Sequence, residues 1–190
     1  MRFTKLDLLE SFDRLDKSYR LSILCSYWIR DVPCFQPNAA GLALETEMKA
    51  GNDWIKFDDL GISLQTRATA ESLSAELMLN QLHTLIRISF ELLVDYCKCY
   101  DKLYPTQQND LQFAKMRQMD WFNFAKIVRN AISHNFHFAL KSFNSKLPVS
   151  WGGASIDITY EGEPITGETL WHNQGYALFL EMQRFAESLP

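Results

Sequence analysis

One short stretch of the sequence combines side chains that can act on a phosphate group. It reads Arg-Asn-Ala-Ile-Ser-His and runs from Arg129 to His134. Arginine stays charged and can grip phosphate oxygens with a planar fork of N–H groups. Histidine can take up and release a proton near neutral pH. This pairing suits one phosphate group met by two different side chains.

A helix over residues 121–138 would sort this stretch into two faces, because successive residues advance by about 100° around the axis. The apolar face consists of Phe124, Val128 and Ala131, flanked by Ile127 and Ile132. The opposite, polar arc consists of Lys126, Arg129, Asn130, Ser133 and His134, joined by His137 if the helix continues. The arc carries no carboxylate, so we expect it to face a ligand, a partner subunit or water.

Spacing predicts which groups of the arc meet. Asn130 and His134 are four residues apart and can touch, so the asparagine could orient the imidazole. Arg129 lies on the other flank, so it and His134 would straddle a groove rather than hydrogen-bond to each other. Glu91 and Asp95 share one face of an earlier helix. A solvated edge is favoured for them over the alternative, in which one of them orients Arg129.

The charge of the chain is unevenly distributed. The net charge is −4, which argues against a protein that coats nucleic acid. Between Leu111 and Ile156, however, six basic residues stand against one acidic residue, and the rest of the chain holds 13 basic and 22 acidic residues. This asymmetry places positive potential on one segment, where an anion could be held.

Helical periodicity is present in most of the chain and predicts helices over residues 3–30, 70–104, 107–117, 121–141 and 168–188. Thr69 and Asp120 are the expected N-caps of the second and fourth. Gly175 is a weak point in the last helix. The fold class is therefore mainly all-α. We expect one domain over residues 1–190, with a helical core at 69–190 and a helix plus an irregular elaboration at 1–68.

Two segments depart from the helical pattern. Residues 33–68 contain apolar side chains at irregular spacing, so two short strands or a packed loop are both possible there (Trp54, Ile55, Phe57, Leu60, Ile62, Leu64). Further on, Gly152 and Gly153 precede a β-like run, and residues 161–164 read as a turn. We expect a small β-hairpin inserted near residues 155–166.

Composition and the remaining residues point to a cytoplasmic protein without a metal or cofactor. No apolar run is long enough to cross a bilayer, and the N-terminus lacks the uninterrupted apolar core of a secretory signal. Cys25, Cys34, Cys97 and Cys99 form no metal-binding pattern and are expected to be reduced. His83 and His172 are expected on partly buried helix faces. Trp121 and Phe122 are expected to anchor the core rather than stack on bases.

The Arg129–His134 stretch resembles the Arg-x(4–6)-His signature of the HEPN ribonuclease family, in which a polar residue after the arginine is common. Its context agrees, since a long amphipathic helix precedes the motif and another helix follows. The resemblance covers about residues 70–188. It implies a helical bundle that forms a homodimer, in which two Arg/His pairs meet at the interface as a composite, metal-independent endoribonuclease site.

The resemblance also suggests a role for each residue of the motif. His134 would be the general base or acid, and Arg129 would stabilise the charge on the phosphate. Asn130 would orient His134, while Ser133 would lie near the site without being a nucleophile. Lys126 and His137 are candidate substrate-binding residues.

The family also suggests a biological setting and leaves rival functions open. The expected setting is a bacterial toxin or defence effector that cleaves RNA and is restrained by a cognate antitoxin or regulatory protein. HEPN domains also include members that only bind nucleotides or proteins, so a non-catalytic binding module is the alternative. A purely structural helical protein, with the polar arc as an interface, is the third possibility.

Overall fold

The chain is mostly helical and carries small antiparallel hairpins. A computed structural model describes residues 3–31, 47–50, 53–56, 67–105, 111–165, 170 and 172–190. Its α-helices are α1 (Lys5–Asp31), α2 (Arg67–Leu103), α3 (Gln112–Gln118), α4 (Phe122–Ser133) and α5 (His172–Ser188). The mainly all-α fold class is confirmed.

A first hairpin lies in the segment for which the sequence left strands and loop open. Strand β1 (Glu47–Ala50) pairs antiparallel with β2 (Asp53–Lys56), with Lys49 opposite Trp54. Trp54 and Ile55 are thus part of a short strand. Phe57, Leu60, Ile62 and Leu64 lie outside the described residues, so the expectation for them stays a prediction.

The second hairpin confirms the inserted β-structure but begins earlier than residue 155. Strand β3 (Val149–Trp151) pairs with β4 (Ala154–Ile156), and Gly152 and Gly153 form the turn with φ of 58° and 81°. Glycine adopts positive φ without a steric penalty, and a two-residue turn of this kind matches the twist of paired strands. The two glycines therefore determine where the chain reverses.

Residues 158–165, which the sequence assigned to that hairpin, pair elsewhere. Ile158–Tyr160 form a 3-10 helix. The chain then returns to the segment after α4, where the Phe138 amide donates to the Glu163 carbonyl (2.9 Å) and the Ile165 amide to the Phe136 carbonyl (2.8 Å). His137 and Pro164 form an isolated antiparallel bridge. This pairing ties down the segment that follows the Arg129–His134 motif.

Two of the expected caps are wrong, and α4 is shorter than predicted. Helix α2 begins at Arg67, so Thr69 lies inside it, and the residue before α4 is Trp121 rather than Asp120. Helix α4 ends at Ser133 instead of continuing to residue 141, because the next residues turn sharply. The predicted starts at residues 107 and 168 lie outside the described residues.

The chain divides into two compact units. The first comprises Met1–Lys17 and Leu82–Pro190, and the second comprises Ser18–Gln81. In the second unit, the buried Ser26 and Ser74 exchange hydrogen bonds, each hydroxyl donating to the other residue's carbonyl (3.2 and 3.0 Å). These bonds satisfy hydroxyl groups that would otherwise be costly to bury.

The first unit has an aromatic core. Phe12 of α1 stacks on Phe179 of α5 with 5.6 Å between ring centroids, and Trp121 meets Phe185 edge-on at 6.0 Å. Trp121 and Phe122 are both buried, which confirms their expected role as core anchors. Burying one such ring contributes on the order of 3 kcal/mol. The end of the chain is also fixed, since the Tyr96 hydroxyl donates to the Pro190 carbonyl (2.7 Å).

Helix α5 approaches α2 closely at Gly175. A Cβ atom built on this buried glycine would lie 2.8 Å from a methyl carbon of Leu82, which is itself fully buried. The close packing therefore requires glycine at this position. Gly175, which is unfavourable for helix formation, is the residue at which the two helices touch.

We expect Gly175→Ala to destabilise the protein by about 1–3 kcal/mol, because overpacking outweighs the roughly 1 kcal/mol that alanine gains in helix propensity. Urea unfolding measures the difference. The control is Ala177→Gly on the exposed face of the same helix, which should cost about 1 kcal/mol by propensity alone. A more stable Gly175→Ala protein would contradict the close packing.

Candidate functional site

Helix α4 presents the motif as the sequence predicts, with one buried face and one polar face. Its apolar residues are all buried (Phe124, Ile127, Val128, Ala131, Ile132). Lys126, Arg129 and Asn130 are half-buried, whereas Ser133 and His134 are exposed. Burial of the apolar stripe thus fixes the direction in which the polar side chains point.

Arg129 is clamped by two hydrogen-bonding partners. Its Nε and Nη2 atoms lie 3.1 and 2.9 Å from Oε1 of Glu91, and Nη1 donates to Oδ1 of Asn130 at 3.1 Å. The charged side chains of Arg129 and Glu91 are both about one third exposed (34% and 35%). Helix α2 therefore supplies the carboxylate that the arc lacks, and Glu91 orients Arg129 instead of forming a solvated edge.

The expected contact between Asn130 and His134 is not among the hydrogen bonds of the described residues. Asn130 bonds to Arg129 instead, and the Ser133 hydroxyl donates to the Arg129 carbonyl (3.1 Å). His134 follows the last helical residue and has φ −114° and ψ 56°. Side chains four apart meet only while the helix continues, so the early end of α4 removes that geometry.

A strained turn follows His134. Asn135 and Phe136 have φ of 56° and 62°, a left-handed conformation that is costly for residues other than glycine. The Phe136 ring lies against the buried His83 ring, with 4.8 Å between centroids. The turn leaves His134 and His137 exposed, and Nδ1 of His137 is 2.7 Å from the Asn135 carbonyl oxygen.

A pocket of about 690 Å³ lies beside Arg129. Its walls come from α2, α3, α4 and the 3-10 helix Lys141–Lys146. The lining residues are Phe90, Glu91, Val94, Asp95, Lys98, Phe113, Arg117, Phe122, Lys126, Arg129, Asn130 and Lys146. Of the site residues predicted from sequence, Lys126, Arg129 and Asn130 line this pocket, and Ser133, His134 and His137 do not.

Helix α3 is held beside α2 by a side chain that the sequence did not reveal. Both carboxylate oxygens of Asp101, near the end of α2, accept backbone N–H groups at the start of α3, from Gln112 (2.7 Å) and Phe113 (2.9 Å). These bonds satisfy donors that a helix start leaves unpaired. They position Phe113 and Arg117 at the pocket wall.

The pocket concentrates positive charge. The pKa of Lys126 is lowered by its partial burial and, to a smaller extent, by Lys146 and Arg117. Its ammonium group also lies over the Phe143 ring, 5.3 Å from the centroid. Sequence reasoning missed Lys98, Arg117, Lys146 and Phe113 as pocket residues, although Arg117 and Lys146 belong to the basic segment it identified.

Two other histidines lie inside the first unit. Neither ring nitrogen of His83 has a hydrogen-bond partner in the described part of the chain, and the same holds for Nδ1 of His172. Burial, with a smaller contribution from His172, lowers the pKa of His83 to about 4. Burial also lowers the pKa of His172. Both imidazoles are therefore neutral at physiological pH.

The described residues contain no group of three or more His, Cys, Asp and Glu side chains placed to hold a metal ion. Cys25, Cys97 and Cys99 are free, with Cys97 buried and Cys99 exposed, and Cys34 lies outside the described residues. None of the described helices combines the length and apolar character that a membrane span requires.

Comparison of the chain with known protein families, with curated proteins and with solved structures gives no match.

Relieving the backbone strain after His134 should stabilise the protein. We expect Asn135→Gly to raise the free energy of unfolding by up to about 1 kcal/mol, because glycine adopts positive φ without a clash. At the same position, Asn135→Ala should lower it by about 1 kcal/mol. Urea unfolding of both variants measures the effects, and the opposite order would show that the turn is unstrained.

The buried His83 should make stability depend on pH. Its pKa is lower in the folded protein than in the unfolded chain, so unfolding takes up a proton and stability falls as pH drops from about 6.5 towards 4. Between pH 7 and 5 we expect a loss of at most about 2 kcal/mol from this residue. His83→Gln should reduce the pH dependence. An equal pH dependence in the parent and the His83→Gln protein would contradict the assignment.

Proposed function

We propose that this protein is a metal-independent endoribonuclease that acts as a homodimer, with a composite site formed by Arg129 and His134 of both subunits. The main support for the proposal is the placement of the two motif residues, with Arg129 hydrogen-bonded on α4 and His134 exposed just after it. Arg129 is held rigidly by Glu91 and Asn130, and five residues later a strained turn presents His134 on the surface. The likeness of this motif to the HEPN signature supports the same conclusion.

The strained turn favours function over an ordinary solvated helix end. Left-handed backbone at a non-glycine residue costs on the order of 1 kcal/mol and persists where the surrounding structure holds it, as at many functional sites. Here two such residues follow each other, and the Phe136 ring packed on His83 holds them in place. This geometry fixes where the chain leaves α4 and therefore where His134 lies on the surface.

The chemistry assigns complementary roles to the two side chains. One imidazole removes the proton from a ribose 2′-hydroxyl, whose oxygen attacks the neighbouring phosphorus. Arg129 stabilises the negative charge that builds up on the phosphate oxygens. A second acid protonates the departing 5′-oxygen, so the products are a 2′,3′-cyclic phosphate and a free 5′-hydroxyl. Two histidines, one from each subunit, provide the base and the acid.

The supporting residues have narrower roles in this proposal. Asn130 positions Arg129 through their hydrogen bond, in place of orienting His134. The Ser133 hydroxyl is engaged with the backbone of α4, which suits a neighbour of the site rather than a nucleophile. Lys126 and His137 contact the substrate from opposite sides of the motif. We further propose that the protein acts in the cytoplasm as a toxin or defence effector, restrained by an antitoxin or regulatory protein.

One observation favours the second candidate, a non-catalytic binding module. Glu91 neutralises much of the charge of Arg129, and a guanidinium already engaged has fewer donors to offer a phosphate. Such a module would use the same helical surface to hold a nucleotide or a protein without cleaving RNA.

RNA cleavage by purified variants distinguishes the two candidates. We expect the parent protein to cut RNA in the presence of a metal chelator and to leave cyclic-phosphate ends. His134→Ala and Arg129→Ala should each slow cleavage by about 100-fold or more. Arg184→Ala, which removes an exposed arginine of α5 outside the motif and the pocket, is the control and should retain most of the activity. Cleavage by His134→Ala at the parental rate would rule out the assignment.

Mixing the two inactive variants tests the composite site. If Arg129 of one subunit acts with His134 of the other, heterodimers of Arg129→Ala and His134→Ala chains contain one intact pair, and activity should return on mixing. No recovery, in a mixture shown by native mass spectrometry to contain heterodimers, would contradict a site shared between subunits.

A further inference from the structure

The pocket beside Arg129 holds more positive charge than the proposed cleavage reaction needs. Five basic side chains line it, against the two carboxylates of Glu91 and Asp95 (Lys98, Arg117, Lys126, Arg129, Lys146). Glu91 is paired with Arg129. In the described part of the chain, no carboxylate forms an ion pair with Arg117, Lys126 or Lys146.

These cations are brought together by three separate elements. Arg117 comes from α3, Lys126 from α4, and Lys146 from the end of the 3-10 helix. Like charges held close together destabilise a fold unless an anion relieves their repulsion. Burial is the main cause of the lowered pKa of Lys126, and the charges of Lys146 and Arg117 lower it further, which is consistent with such crowding. The cluster is therefore suited to a ligand with more than one negative charge.

The same pocket has an apolar wall. Phe90, Val94, Phe113 and Phe122 line it beside the cations. Phe113 meets Phe122 edge-on with 6.4 Å between centroids, and Phe122 lies 5.6 Å from Phe90. Contact with these side chains would bury a flat, uncharged part of a ligand.

We propose that this pocket binds a small phosphorylated ligand that has at least two negative charges and a flat apolar group, as a nucleoside diphosphate does. Phosphate oxygens lie against Arg117, Lys126 and Lys146, and the ring lies against Phe113. The site is formed within one chain and does not include His134, although it shares Lys126 and Arg129 with the proposed nuclease site. Binding of this ligand goes beyond RNA cleavage, and it can be measured whether or not the protein cleaves RNA.

Size and charge favour a small ligand over a nucleic-acid strand. A volume of about 690 Å³ is in the range of sites that enclose small organic molecules. A bound strand also needs positive charge along its path, but outside residues 111–156 the chain holds 13 basic and 22 acidic residues. The positive potential is concentrated in one concave site.

Isothermal titration of the full chain, with ADP, pyrophosphate and adenosine as probes, tests the chemical class. We expect ADP to bind most tightly, pyrophosphate about 10-fold more weakly, and adenosine not measurably. We also expect ADP at 100 times its Kd to raise the Tm by roughly 5 °C. Failure of ADP to bind would overturn the proposal, as would binding of adenosine as tightly as ADP.

Paired variants locate the binding site. Arg117→Gln and Lys146→Gln should each weaken ADP binding about 10-fold. Both side chains are exposed, so these variants should fold. The matched controls, Lys115→Gln and Lys141→Gln, remove the same charge from the same two elements outside the pocket and should change affinity less than twofold. Equal weakening by all four would mean general attraction rather than a site, and would overturn the proposal.

Two further binding measurements distinguish a small-ligand pocket from the nuclease site and from a surface that binds a nucleic-acid strand. His134→Ala should bind ADP as the parent does. A parent protein that binds ADP but does not cleave RNA would contradict only the proposed nuclease function. A ten-nucleotide RNA that binds more tightly than ADP, and loses affinity with Arg117→Gln, would instead assign the pocket to a nucleic-acid strand. That outcome would overturn the small-ligand proposal.

Discussion

The ion pair between Glu91 and Arg129 links the two helices on which the site is built. A guanidinium that is two thirds shielded from water is costly without a partner, so α4 must lie where a carboxylate of α2 can reach it. That requirement fixes the direction of Arg129, and Asn130 fixes it further through the remaining edge of the guanidinium. Arg129 therefore has its hydrogen-bonding partners in place before any ligand binds.

His134 is held by a different constraint, which acts on the backbone. Helix α4 ends one residue before it, and two consecutive left-handed residues then reverse the chain. Packing of Phe136 on His83 and pairing with residues 162–165 oppose the strain of this turn. A half-buried cation and an exposed imidazole thus lie on adjoining but distinct surfaces of one chain. Because these surfaces are distinct, we propose two sites. One is a composite site that a second subunit completes around His134, and the other is an anion pocket beside Arg129.

Much of the fold was predictable because it follows from local patterns. Apolar periodicity placed the helices, and the buried stripe of α4 agrees residue by residue with the helical wheel. The predicted helix starts were wrong where they depended on a single capping residue, as at Thr69 and Asp120. The hairpin was expected too late in the chain, since Gly152 and Gly153 form its turn. The basic segment signalled an anion site, but spacing could not show that Lys98 of α2 would join Arg117 and Lys146, because these residues are distant in sequence.

The sequence by itself determined the mainly helical class, the polar face of α4 and the proximity of a cation to an imidazole, since each depends on neighbours a few residues apart. Only the tertiary structure decided which partners those groups have. Glu91 binds Arg129, although 38 residues separate them in the chain. Asp101 caps a helix that begins eleven residues later, and the Phe136 ring, just after α4, packs on His83 of α2. Such contacts arise from packing, which brings together residues that no local period relates, and they determine whether a motif becomes a site.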